Sequence, residues 1–410
     1  MPRTTPFHAR TSALCRSFLW KEWSGYAAVR TFDAHSEREY FALRHACGLM
    51  DATPLYKYEV TGPDAAKLLA RVWTRDITSS RVGQVVYSAM ADPNGHCLDD
   101  GTVARLGPEH FRMTSSERWG YWLHRHARGL RVQIDDSTDR LACLALQGPT
   151  ARDVLRDLVE WDMDIMRFFR IQHTKLAGLE CWVSRTGYTG DLGYEVWVHN
   201  DDALAAWDAI VAAGKPHGLE PNGLDALDVV RIEAGYVLQG VDYISAKSCL
   251  VESRKSSPVE AGLGWTVDLD RDPFVGQAAL RAEQGRGSKW ALVGLVLDWA
   301  ALEDLYAEYG LPPHLAPVSC RDPVPIYDAG GTRQIGQVTS NTWSPLLKKY
   351  LAIGQVYAAY GKPGTRVRVE QTPEFHRRRV PATVVERPFF DPDRKRHTPK
   401  KPARKRKGAA

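Results

Sequence analysis

Residues 184–195 read SRTGYTGDLGYE, and no other segment constrains the fold of this chain as tightly. Upstream, Leu179-Glu180-Cys181-Trp182-Val183 has the apolar and β-branched content of a strand. Downstream, Tyr194-Glu195-Val196-Trp197-Val198-His199 alternates like a second one. Gly187, Gly190 and Gly193 let the connection turn tightly and bring backbone close to a neighbour. Tyr188, Asp191 and Glu195 add polar groups that can face a planar, hydrogen-bonding ligand. On spacing alone, a glycine-rich connection of this kind is equally a plain turn.

The rest of the 410-residue chain reads as mixed helices and strands. Residues 37–45 are predicted helical and 49–60 extended, after an irregular N-terminal arm. Thr61 or Asp64 starts a helix through Leu68, Leu69 and Val72. Strands follow near 85–90, 98–106 and 110–114, then a helix over 117–129. Residues 201–214 are the clearest helix, with Asp201 as cap, Leu204, Trp207, Ile210 and Val211 as the apolar stripe, and Gly214 as its end. With no dinucleotide-binding glycine fingerprint, the pattern argues for an α+β architecture. No run of about 18 apolar residues predicts a membrane helix. Seven scattered cysteines without a CxxC pair suggest neither zinc nor an iron–sulfur cluster, and fit a reducing, cytoplasmic setting. Residues 394–410 hold nine lysines and arginines and no acid; without them the formal charge changes from +5 to −4. The basicity thus sits in a low-hydrophobicity tail expected to be disordered. No aromatic interrupts it, so it does not predict a nucleic-acid function.

Read whole, SRTGYTGDLGYE closely resembles the SRTGYTGE-x-GYE signature of the aminomethyltransferase family, which includes the T-protein of the glycine cleavage system and folate-dependent demethylases. Other motifs resemble the family's in the same order. These are Gly95-His96-Cys97-Leu98-Asp99-Asp100, Leu146-Gln147-Gly148-Pro149, and Gly223-Leu224-Asp225-Ala226-Leu227-Asp228 with Arg231-Ile232-Glu233-Ala234-Gly235. Pro258-Val259-Glu260-Ala261-Gly262-Leu263-Gly264-Trp265 with Phe274-Val275-Gly276, and Thr339-Ser340-Asn341-Thr342-Trp343-Ser344-Pro345, complete the set. The resemblance covers roughly residues 40–390. It implies three domains around a central folate site. A split α+β folate-binding domain takes 1–52 and 141–247, and an inserted α+β domain at 53–140 carries the catalytic aspartate. A connecting segment, 248–289, leads to a C-terminal β-barrel at 290–390, followed by the tail, 391–410. Residues 299–320 look like an insertion that permits a short amphipathic helix.

The resemblance also assigns residues. Asp99 matches the family's catalytic aspartate, but strand alternation does not fix which of Asp99 and Asp100 faces inward, so both stand as candidates. A carboxylate there can stabilise the cationic centre that forms as a one-carbon unit leaves its carrier, or accept a proton. Glu195 matches the pterin-recognising carboxylate, able to accept bonds from a 2-amino group and the adjacent ring N–H together. Tyr87 and Tyr188 match aromatics lining the folate pocket. Arg231 is assigned to the folate site, with a salt bridge to Asp228 or Glu233 as the plain alternative. Arg378, in a run of three arginines, matches an arginine near the folate tail. Trp265 and Trp343 are expected to pack near the pocket. Three departures stand out: Gly101 where the family has a bulky aliphatic, Asp191 for glutamate, and Gln239 for tyrosine. Gly101 is expected to open space for a different donor.

The implied activity is a tetrahydrofolate-dependent one-carbon transferase, needing no metal and taking a methyl or aminomethyl group from a small donor. The glycine-cleavage version implies a lipoyl carrier protein as partner. Two other readings remain: a non-catalytic folate-binding scaffold of the iron–sulfur-assembly or RNA-modification type, and a transferase subunit beside a methylamine-oxidising flavoprotein.

Overall fold

Apolar alternation sorts into three main sheets in the computed structural model, which describes residues 2–313, 315 and 318–399. One sheet has the order Ile171–Leu176, Leu179–Ser184, Gly193–His199, Leu141–Gln147, Cys47–Asp51 and Leu219–Pro221. All its pairs are antiparallel except the last, where Leu219 runs parallel to Cys47. A second, wholly antiparallel sheet has the order Val85–Ala91, Cys97–Gly107, His110–Ser115, Tyr56–Thr61 and Gln133–Asp136. Six further strands, Trp290–Leu297, Lys349–Tyr357, Gln334–Ser344, Val324–Tyr327, Arg366–Gln371 and Arg378–Val385, close into a barrel and leave no sheet edge. The α+β class with a C-terminal barrel is therefore as expected.

The faces of the first two sheets differ sharply. Along Gly193–His199, Tyr194, Val196 and Val198 pack with Leu155, Trp207 and Ile210 beneath the helices Ala151–Arg156 and Ala203–Gly214. With a side-chain period of two, Glu195 and Trp197 point the opposite way. In the second sheet, Tyr58, Val60, Val103, Phe111 and Met113 pack with Leu68, Leu69 and Leu123 of the helices Ala65–Val72 and Gly120–His126. Lys57, Glu59, Thr102 and Arg112 take its other face. The Arg112 guanidinium lies 5.7 Å over the Trp197 ring, so the two non-helical faces meet.

Some local expectations shift. The N-terminal arm is regular, with a helix His8–Leu14 and a two-stranded ribbon, Leu19–Trp23 with Tyr26–Thr31, that buries Tyr26 and Val29. The helix expected over 117–129 begins only at Gly120, because the backbone N–H groups of Ser116 and Glu117 bond to Asp99 instead. Asp202, not Asp201, is the N-cap residue of Ala203–Gly214, and the chain continues past Gly214 through one turn to Gly218, at φ +72°. The inserted helix forms as Trp299–Ala307, where Asp298 accepts a bond from Ala301 and Leu302 and Leu305 pack on Val380 of the barrel.

The hairpin at 184–195 is built around one side chain. Gln147 reaches across it, donating from Nε2 to the carbonyls of Thr186 (3.1 Å) and Tyr194 (3.2 Å) and accepting from Thr189. A Cβ on Gly187 or Gly193 would stand 1.9 or 2.1 Å from Gln147 Oε1. Gly190, at φ +72°, meets the end of the helix Leu224–Glu233, where an added Cβ would sit 2.4 Å from Ala234 Cβ. Gly190→Ala combines overpacking with left-handed strain and is expected to lower unfolding stability by about 2–3 kcal/mol, read from the denaturant midpoint.

Residues 391–399, assigned by sequence to the disordered tail, are packed instead. The buried Arg185 guanidinium donates to the carbonyls of His397 (2.7 Å) and Lys395 (3.0 Å), and Arg394 forks onto Asp191 with two bonds of 2.7 Å. Residues 400–410 lie outside the described residues. Backbone carbonyls that pair with a buried guanidinium override the low hydrophobicity of this segment. Arg394→Ala leaves the buried Asp191 carboxylate with Arg44 at 3.7 Å as its remaining cation and is expected to cost about 1–3 kcal/mol, visible as a lower Tm.

Candidate active site

The two neighbouring aspartates have opposite environments. Asp99 is fully buried on the helix side, with Val103. Its carboxylate accepts bonds from Ser116 Oγ (2.5 Å), Trp119 Nε1 (2.7 Å) and the backbone N–H groups of Asp100, Glu117 and Ser116 (2.9–3.2 Å). Burial, then the neighbouring Asp100 charge, pushes its pKa up against those donors. Asp100 is half-buried on the opposite face. Its Oδ2 accepts from Tyr87 Oη at 2.6 Å and its Oδ1 from Tyr243 Oη. Burial also raises Asp100, and the two phenol donors pull the other way.

A bulge decides which aspartate faces where. Met90 pairs with Asp99 and Ala91 with Cys97, leaving Leu98 as the extra residue. Leu98 and Val103 therefore both reach the helix-side core despite their odd spacing, and Asp99 goes with Val103. Of the two candidate aspartates, Asp99 is therefore the one enclosed on the helix side and Asp100 the one on the opposite, less buried face.

Tyr87 stacks on Trp265 with ring centroids 5.7 Å apart and planes 20° apart. Trp265 was expected to pack but is 64% exposed, forming an outer wall. Tyr188 lies 5.6 Å from the Tyr236 ring, donates its hydroxyl to the Val237 carbonyl and is close enough to Asp100 for their charges to interact. Glu195 is half-buried. Its Oε2 accepts from Thr186 Oγ1 (2.6 Å) and Ser184 Oγ (3.4 Å), both contacts fall on that oxygen, and burial raises its pKa. Asp100, Tyr87 and Tyr188 thus come together, with Glu195 at the base of the same hairpin.

Arg231 is 1% exposed and wholly engaged. Its Nε donates to Asp228 (2.7 Å), Nη1 to Asp242 (2.6 Å) and Nη2 to Ser340 of the barrel (2.7 Å). The salt-bridge alternative therefore describes its observed contacts, with Asp242 as the added partner. Arg378 is not brought to this cluster. It lies 4.0 Å from Glu308 and over the Tyr309 ring, beside the inserted helix. Arg387 stands nearer, with Nη1 on the Gly235 carbonyl at 2.9 Å.

Residues 7–271 match the family model for the GCVT N-terminal domain, and residues 311–391 that for the glycine cleavage T-protein C-terminal barrel domain. The chain belongs to the GCVT family. Trimethylamine-oxide aldolase of Ruegeria pomeroyi is 36% identical over 97% of this chain, which spans 48% of that relative's length. The aminomethyltransferase of Halothermothrix orenii is 33% identical over 86% of the chain and 90% of the relative, and that of Bacillus subtilis 32% over 86% and 90%. The fold matches the glycine cleavage system aminomethyltransferase T of Bartonella henselae with a TM-score of 0.80, covering 95% of this chain and 99% of that one at 24% identity. This GCVT chain is accordingly an enzyme of a folate-dependent family. Among the described residues no helix is long and apolar enough to cross a membrane, and no group of three or more His, Cys, Asp and Glu could hold a metal ion.

The three departures from the family pattern now have places. An added Cβ on Gly101 would stand 2.1 Å from the Thr114 carbonyl oxygen and 3.2 Å from the Trp73 ring, so the position is filled by neighbouring structure rather than opened to a donor. Asp191 holds Arg394. Gln239 donates to Glu117 Oε1 at 2.8 Å, and Lys247 reaches Glu117 Oε2 at 2.9 Å. Sequence reasoning missed Tyr243 and the Asp99-binding turn at 116–119. Nothing local marks either, because each becomes relevant only through contacts distant in sequence.

Proposed function

We propose that this GCVT enzyme moves a one-carbon unit from a small methyl or aminomethyl donor to tetrahydrofolate, with Asp100 at the reacting centre and Glu195 binding the pterin. The observation that carries the reading is the half-buried Asp100 carboxylate, bonded by Tyr87 and with Tyr188 near enough for their charges to interact. The residues also fit the cofactor. Glu195 is a half-buried carboxylate with no ion-pair partner among the described residues, and its Oε1 is left for donors such as a pterin's amino group and ring N–H.

Tetrahydrofolate, when bound, supplies the amine nitrogens that take up the one-carbon unit. Asp100, in surroundings of reduced polarity, stabilises positive charge at the reacting centre or takes the proton released there. Tyr87 and Tyr188 supply flat surfaces for aromatic rings. Arg387 is a better-placed candidate than Arg378 for contact with an anionic folate tail. The similarity to a trimethylamine-oxide aldolase favours a small amine-derived donor, and that to aminomethyltransferases keeps a lipoyl carrier as a partner. A flavoprotein partner is a second arrangement of the same chemistry. A pure scaffold is disfavoured because Asp100 is held ready by two hydroxyls. Seven free cysteines support a reducing, cytoplasmic setting.

Incubation with tetrahydrofolate and a donor panel, followed by mass spectrometry of the folates, should give 5-methyl- or methylene-tetrahydrofolate and identify the donor. If tetrahydrofolate leaves both tryptophan fluorescence and Tm unchanged, the cofactor assignment fails. Asp100→Asn should lower kcat by roughly 10²–10⁴-fold while folate Kd stays within about threefold. Asp99→Asn should act chiefly on stability; the reverse pattern would return the role to Asp99. Glu195→Gln should weaken tetrahydrofolate binding by about 10–100-fold with a smaller effect on kcat, since bonds to a charged acceptor contribute about 1.5–3 kcal/mol.

A further inference from the structure

Tyr243 was not distinguished by the sequence, yet it is 3% exposed and places its hydroxyl on Asp100 Oδ1. Unlike Tyr87, which sits across a strand pair from the aspartates, it comes from an irregular loop held at several points. Asp242, its neighbour, accepts at Oδ2 from Arg231 Nη1 (2.6 Å) and the Leu238 N–H (2.8 Å), and at Oδ1 from Thr339 (2.5 Å) and Ser340 (2.7 Å) of the barrel. Gly240 N–H bonds the Tyr243 carbonyl at 2.7 Å, and Ala246 N–H bonds the Cys97 carbonyl at 2.8 Å. The loop is thus pinned to the helix and barrel at one end and to the aspartate strand at the other.

We propose that Tyr243 is a positioning residue: its hydroxyl donates to the Asp100 carboxylate and favours the charged form, and Arg231 serves the site by fixing the loop that delivers Tyr243. This rests on Asp100 being the carboxylate at the reacting centre. The titratable groups around Asp100 are Cys97 and Asp99 on its own strand, Tyr87 on the neighbouring strand, Tyr188 from the hairpin, and Asp242 and Tyr243 from the loop. Asp99 and Asp242 disfavour a second negative charge, as burial does. Among the described residues, the side-chain donors that bond the carboxylate oxygens and favour the charged form are the phenol O–H groups of Tyr87 and Tyr243. Tyr87 is also a wall of the ligand pocket, whereas Tyr243 is covered, which leaves Tyr243 the narrower task. Donation to a carboxylate lowers its pKa, so removing the Tyr243 hydroxyl raises the Asp100 pKa. A reaction that needs the carboxylate then loses activity at a higher pH.

Tyr243→Phe keeps the ring and its packing, and its Tm reports whether the fold is retained. The acidic limb of the kcat/KM profile for one-carbon transfer to tetrahydrofolate is expected to move up by about one pH unit, a tenfold loss at the acid end, while the alkaline plateau stays within about threefold. In an Asp100→Asn background the same substitution should have no further effect on the profile. An unmoved limb, or an equal loss at every pH, overturns the proposal. Should Asp100→Asn itself keep full turnover, the assignment of Asp100 fails first, and the two failures are told apart by that single variant.

Discussion

The buried guanidinium of Arg231 is the joint that ties its helix to the barrel and to the loop beside Asp100. It links Asp228 one turn back on its own helix, Asp242 in the following loop and Ser340 in the barrel, while Arg321 takes the second oxygen of Asp228 at 2.6 Å. A charge buried this deeply persists only because every donor is matched, and removing one partner leaves the others uncompensated. Glu233, two residues along the same helix, repeats the device with Tyr40, Arg44 and Ser344. One helix thereby fixes the position of the barrel, the N-terminal helix Glu37–His45 and the loop that reaches Asp100.

Within that frame, the motifs that mark the family serve as packing joints. Gln147 of the QGP turn occupies the space that Gly187 and Gly193 leave open. Gly190 admits Ala234 at the end of the Arg231 helix, and Asp191 receives Arg394. Glycines are required here because another chain segment already fills the Cβ positions. Most strand residues then sort by alternation, apolar ones to the helix side of each sheet, and the bulge at Leu98 is the exception that sends Asp99 to the helix side.

Much of the fold was legible from local pattern. The helix Glu37–His45, the strands of the second sheet and the inserted helix at 299 lie close to where periodicity put them. Less legible were features set by competition for hydrogen bonds. The helix after Ser115 starts late because Asp99 takes two of the preceding N–H groups. Residues 391–399 pack because Arg185, buried far away in sequence, needs acceptors. Arg378 lies beside the inserted helix because the strand register sends it toward Glu308, a register that a run of three arginines leaves unmarked in the sequence.

By itself the sequence determined the family, the α+β class, the glycine-rich hairpin and the short list of candidate carboxylates and tyrosines. Those depend on residue identity, spacing and order, which survive without coordinates. Tertiary structure alone decided which faces Asp99 and Asp100 take, because one bulged residue, Leu98, reverses the parity by which strand residues choose a face. It also closed the space beside Gly101, turned Arg231 into a structural link and brought Tyr243 to Asp100. Each of these is a contact between segments far apart in the chain, and no local pattern encodes which partner will arrive.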